Sequence, residues 1–377
     1  MQQPVTVDDA ETAVVLLVGT QKGLFRLVSD PAREHWRMDG PLIAGYEITH
    51  AWLDPRRPAT GFAAANHVVW GAHVYRSTDS GSTWQSLPNP PQHPVGEHDT
   101  ALRGIWHLAP GAASQPDTLF AGIDPAGLFV STDAGASWTG VDGLNHHATR
   151  SLWEPAKGGF FVHSTQVAGD RPQRLFTAVS AGGAYRSDDA GANWEPINAG
   201  VRAEHLPQAA PRAGHNIHRL VAHPRDSRRL YRQCYNGVYR SDDAGESWVE
   251  ISRGLPSDFG YVAVTEAGDP DVLYVIPIDS SHLRTAVDGR LRVYRTADAG
   301  ATWQPLTQGL PQEHAYVSVL REAMAVDDLP ACGAYFGTSG GHLFASRDRG
   351  ASWRLLAGFL PRILSVTAAV VPAGEAP

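Results

Sequence analysis

Three histidines share one address in this chain. Counting back twelve residues from Leu119, Leu175 and Leu230 lands on His107, His163 and His218. Neutral imidazoles are common ligands of Zn2+ and Fe2+, and three of them around an open position leave room for water or substrate on the ion. The same count gives Thr49, Tyr261 and Glu322 at matching places. Glu322 then reads as a further ligand or the group that orients one, and Tyr261 as a substrate contact. A histidine at such a place also packs between structural elements, where a hydrogen-bonded ring has no catalytic meaning. The count does not separate the two readings.

Other groups fit around this trio. His98, His147 and His314 are candidates for general acid or base, and His282 for a substrate contact. Arg103 and Arg150, with Arg219 beside them, have the fork geometry that grips a carboxylate, although such arginines also ladder with acids between elements. Glu47, Asp99, Asp124, Asp279 and Glu313 supply carboxylates for an alternative, glycosidase-type chemistry.

What must position these side chains is a repeat. Six copies of a Ser/Thr-x-Asp-x-Gly-x-x-Trp box run along the chain, at Asp79, Asp133, Asp189, Asp243, Asp298 and Asp348. Successive aspartates lie 54, 56, 54, 55 and 50 residues apart, a period of one supersecondary unit stacked into an array. Each unit reads as four short strands with tight turns, the pattern of a propeller blade. In the fifth, the strands are Ile217–Ala222, Leu230–Cys234, Val238–Arg240 and Trp248–Ile251, with Asn236-Gly237 as one turn. The box aspartate is expected to accept turn N–H groups, its glycine to take a left-handed conformation and its Trp to pack between blades.

The expected fold is all-β, one seven-bladed β-propeller domain over 1–377. Its blades fall at 11–40 with 361–371, 46–88, 103–142, 158–198, 216–253, 259–308 and 315–357. The first blade takes its innermost strand from the C-terminus, which leaves no free sheet edge. Strand order puts the fourth-to-first connections and second-to-third turns on one face. Most of the 17 histidines and the longest insertions fall there or on innermost strands, so that face is the expected site.

The boxes resemble the Asp-box, or BNR, repeats of sialidases, sortilin-type receptors and the chloroplast photosystem II assembly factor. Over its full length the chain is similar to bacterial BNR-repeat proteins labelled glycosyl hydrolase or exo-alpha-sialidase, through Leu119-Phe-Ala-Gly, Gly237-Val-Tyr-Arg-Ser-Asp-Asp-Ala-Gly and Tyr335-Phe-Gly-Thr-Ser. The resemblance implies the propeller and leaves the activity open, since one fold hosts many functions. A true sialidase is disfavoured: the Arg-Ile-Pro tripeptide such enzymes carry after the first strand is absent, and Pro361-Arg362-Ile363 has another order.

Composition narrows the partners. A formal charge of −8 with no basic run argues against nucleic acid and anionic membranes. Cys234 and Cys332 fall in different repeats, which suits a reducing compartment better than a disulfide framework. Asp8, Asp9 and Glu11 precede the apolar run Ala13 to Val18, which reads as a strand rather than a signal peptide. The expectation is a cytoplasmic, metal-dependent enzyme (Zn or Fe) acting on a small polar or anionic molecule. Its alternatives are a glycoside hydrolase using the carboxylates of that face and a non-catalytic interaction scaffold.

Overall fold

A computed structural model describes residues 12–96, 101–155, 159–203 and 211–375. The chain folds into seven four-stranded antiparallel sheets. Each innermost strand touches the next, and the last touches the first, so the sheets close into a seven-bladed β-propeller. The innermost strands of blades 1 to 7 are Ile363–Pro372, Glu47–Asp54, Gly104–Pro110, Val162–Ala168, Ile217–His223, Gly260–Glu266 and Met324–Val326. Thr12–Thr20 pairs with Gly23–Ser29 on one side and Ile363–Pro372 on the other, so both chain ends share blade 1. Among the described residues the only α-helix is the single turn Asp142–Asn145, and no helix is long and apolar enough to cross a membrane.

The six boxes fold alike because their side chains replace the missing turn hydrogen bonds. In the second blade the Ser77 hydroxyl donates to Asp79 Oδ1 (2.8 Å) and accepts the Gly81 N–H (3.0 Å). Asp79 in turn accepts the Thr83 N–H at 2.9 Å and the Thr83 hydroxyl at 2.6 Å. Gly81 is left-handed (φ 82°), and so is Ser80 before it (φ 54°), a strained position that the box hydrogen bonds hold. The terminal tryptophans of two boxes tie blades together: the Trp248 and Trp303 indoles donate to the Ile197 and Ile251 carbonyls of the preceding blade.

Register within the innermost strands decides which side chains meet. In blades 2, 3 and 5 a bulge inserts one residue, Thr49, Trp106 and His218 respectively, into the pairing with the second strand. The row opposite Ala64, Gly122, Ala178 and Gln233 therefore reads His50, His107, His163 and Arg219. The count is thrown off by connection length: Pro110 opposes Leu119 nine residues on, whereas Leu53 and Ala222 oppose Gly61 and Leu230 eight residues on. It brings Thr49 and His218 into the row, where the pairing puts His50 and Arg219.

Candidate functional site

The row converges on one carboxylate. Glu322, just ahead of the short innermost strand of blade 7, is buried, and three side chains from three other blades surround it. Arg219 ion-pairs with its Oε2, His107 Nδ1 stands 3.3 Å from Oε1, and His50 Nε2 stands 3.8 Å from Oε2. The rings of His50 and His107 stack with centroids 4.5 Å apart and planes 28° apart. Burial alone would raise the Glu322 carboxyl, but Arg219 first and His107 second outweigh it and hold it well below the usual range. The carboxylate is therefore ionised at neutral pH.

Hydrogen bonding assigns the imidazole protons. His107 Nε2 faces the Thr165 carbonyl at 3.3 Å, and a carbonyl only accepts, so in the neutral ring Nε2 carries the hydrogen and Nδ1 is bare. In that tautomer Nδ1 confronts Glu322 Oε1 at 3.3 Å as a second acceptor. Two acceptors this close require a positive charge between them, either a proton or a metal ion. His163 Nε2 is buried without a partner, its Nδ1 being engaged by the Ser164 hydroxyl at 2.8 Å. His50 differs: its Nδ1 accepts the Leu108 N–H at 3.4 Å, so its Nε2 bears the hydrogen and points a donor at Glu322. Burial pushes His50 down to about 3 and His163 well below the ordinary histidine value, which keeps both rings neutral.

Among the described residues, the histidine, cysteine and acidic groups that could hold a metal ion are His50, His107 and Glu322, their donor atoms mutually within 4.8 Å. Of the expected trio, His107 belongs to this set. His163 shares its row and its electrostatic field with His107 and Glu322 but falls outside the 4.8 Å set. His218, on its bulge, turns away: its Nδ1 donates to the Gly260 carbonyl at 2.6 Å, and its ring packs on Tyr261 and Phe259.

Glu322 is also part of the floor of a cavity of about 830 Å3 at the expected face. The walls come from starts of innermost strands (Glu47, Thr49, Trp106, His218, Tyr261) and from second-to-third turns (Gln21, Ser180, Tyr235, His282, Arg284). Tyr261 and His282, expected as substrate contacts, are both among its lining residues. Glu47 is too, and burial raises its carboxyl, with Arg362 partly opposing.

Four expected groups stand elsewhere. His147 spends both ring nitrogens on Thr149 and the Trp194 carbonyl, and His314 is exposed beside Tyr316. Arg103 is exposed and paired with Asp124, and Arg150 lies over Trp153 while bonding the Ala126 carbonyl. None of the four lines the cavity. His98 and Asp99 lie outside the described residues. Of the remaining carboxylates, Asp279 and Glu313 also stay outside the cavity lining. The sequence reading missed His50, Trp106, Arg284, Arg321 and Arg362. His50, Trp106 and Arg321 carried a signal, each as the chain neighbour of a position matched by counting, Thr49, His107 and Glu322.

No family model matches the chain, and no curated protein matches it. Solved structures match in fold. A GH74 enzyme from Niastella koreensis superposes with a TM-score of 0.61 at 20% identity, over 90% of this chain and 52% of that one. The chain thus spans about half the length of that enzyme. A periplasmic gluconolactonase from Pseudomonas aeruginosa gives 0.59 at 17% identity, over 96% of this chain and all of that one. A YCF48 protein bound to a D1 peptide gives 0.51 at 14% identity, over 93% and 87% of the two chains. At such identities the likeness is one of fold.

Proposed function

We propose that the protein is a metal-dependent enzyme acting on a small polar, anionic molecule in the channel cavity. The observation that carries this reading is the convergence of His50, His107 and Glu322, their donor atoms mutually within 4.8 Å, with Glu322 lining the cavity. His107 meets the usual requirement of a ligand imidazole, its second nitrogen donating to a carbonyl, and His163 is a further donor of the same row. His50 fits worse as a ligand, because its Nδ1 already receives an N–H; its Nε2 faces Glu322 from 3.8 Å, and its role is to flank the carboxylate. A divalent ion held there supplies Lewis-acid chemistry at the cavity floor. Arg219 opposes it electrostatically, so the ion must displace or share the Arg219 contact with Glu322. A GH74 enzyme and a gluconolactonase among the fold neighbours support an enzyme on a polar substrate. Elemental analysis of protein purified without chelator, then reconstituted with Zn2+ or Fe2+, tests the reading. One equivalent bound per chain is expected, and no stoichiometric binding overturns it.

A second reading has its own observation. Glu47 and Glu322 both line the cavity, and their environments push them in opposite directions, Glu47 up and Glu322 down. One carboxyl pushed up and one held down, facing one cavity, is the pattern of a glycosidase's acid and base. Turnover of aryl glycosides by metal-free protein, lost in Glu47→Gln, would favour it over the metal reading.

A further inference from the structure

The cavity wall contains a guanidinium held by aromatic rings instead of by an acid. Arg321 Cζ lies 5.4 Å from the ring centroid of Phe161 and 5.2 Å from that of Tyr261, a cation between two π faces. Arg321 joins none of the ion pairs among the described residues, and its Nε is buried without a partner. The adjacent carboxylate, Glu322, is taken by Arg219. Cation–π contacts fix the plane of a guanidinium without neutralising it, so its donors stay available.

The rest of the wall says what those donors meet. Arg284 and Arg362 also line the cavity, against the carboxylates Glu47 and Glu322. Arg219 offsets Glu322 from below and Arg362 offsets Glu47, which leaves Arg284 and Arg321 in excess and the cavity attractive to anions. Trp106 presents a rigid face, stacked on Phe161 with centroids 3.6 Å apart and planes 10° apart. Ser180, Asn216, Ser281, Ser318 and Ser339 add neutral donors and acceptors around it. A ring with apolar C–H faces, a rim of hydroxyls and one carboxylate satisfies all three features.

We propose that Arg321, clamped between Phe161 and Tyr261, receives the carboxylate of a small polyhydroxylated organic acid. The inference rests on the cavity being the substrate site, as proposed above, and does not require the metal ion. A planar fork matches a carboxylate with two parallel hydrogen bonds, and arginine's role here is specificity for that group.

Titration calorimetry with glucuronate, glucose and glucose 6-phosphate tests it, on protein dialysed against EDTA and again after adding Zn2+. Glucuronate is expected to bind at least about tenfold more tightly than glucose in both preparations. Arg321→Gln should remove that preference, and Arg321→Lys, keeping charge but losing the fork, should fall between. If Arg321→Gln does not fold, Tyr261→Leu decides: opening one side of the clamp should weaken glucuronate at least about threefold more than it weakens glucose. Equal binding of glucuronate and glucose, tighter binding of glucose 6-phosphate than glucuronate, no binding of glucuronate by the wild type, or undiminished preference for glucuronate in the decisive variant overturns the proposal. Selective binding of glucuronate by protein that takes up no zinc would uphold it while sinking the metal reading.

Discussion

The ring of His50 lies on the ring of His107 across the boundary between blades 2 and 3, with both edges turned toward Glu322. Arg219 pairs with the same buried carboxylate from blade 5 and is the first contributor to its stabilisation as an anion. Glu322→Gln strands the Arg219 charge, and Arg219→Met strands the Glu322 charge. Each should cost about 3 kcal/mol in metal-free protein, the usual penalty for breaking a buried pair. The double variant should recover more than half of the summed loss. Urea unfolding of the four proteins completes the cycle, and additive losses would contradict the pairing.

His107 and His50 differ as ligands although they stand side by side. Replacing His107 with Gln should weaken zinc binding about 100-fold, since it removes the bare Nδ1. Replacing His50 with Gln keeps an N–H donor toward Glu322 and should cost about threefold to tenfold. Competition against a chromophoric chelator measures both. Equal losses would mean that His50 is a ligand of the same rank.

Acid should weaken the fold through His218. Burial, with Arg321 adding to it, holds this ring down at about 3, and Gly260 fixes it in place through Nδ1. A histidine with a lowered folded-state pKa binds its proton in the unfolded chain first. Stability is therefore intact above about 6.5 and is lost as pH falls from there toward about 3. At pH 4.5 this one group should account for about 2–3 kcal/mol. His218→Phe, which suits the neighbouring Tyr235, Phe259 and Tyr261 rings, should flatten that part of the pH profile in urea denaturation. An unchanged slope between pH 7 and 4.5 would rule it out.

The wheel was legible because its turns need particular chemistry at fixed spacing. A carboxylate must accept the N–H four residues on and a glycine must be left-handed, so Asp, Gly and Trp mark each blade. The site was harder to read because the length of the connection between paired strands leaves no mark in composition. His107 and His163 share a true row, but a connection one residue shorter than that of blade 3 moves His218 out and Arg219 in, and the same difference puts His50 where the count puts Thr49. Side chains on an innermost strand change face with every residue, so an error of one reverses the prediction. Arg321 was overlooked for a different reason: what makes it distinctive is the absence of an acid partner, which only neighbours in space reveal.

The C-terminal strand does more than close the wheel. Val366 pairs with Val18 in blade 1, and its N–H donates to the Glu322 carbonyl at 2.8 Å, while Ser365 forms a parallel bridge with Glu322. The backbone that positions the site carboxylate is thus pinned by the last strand of the chain. Val366→Pro removes that N–H and should cost more than about 2 kcal/mol while also weakening zinc binding at least about tenfold. Val366→Ala keeps the N–H and deletes only buried methyl groups. It should cost about 1–2 kcal/mol and leave zinc affinity within about twofold. Melting temperature and chelator competition on the two variants separate closure from positioning: if zinc affinity follows stability in both, Val366 acts through packing alone, and Glu322 is held by its own side-chain partners.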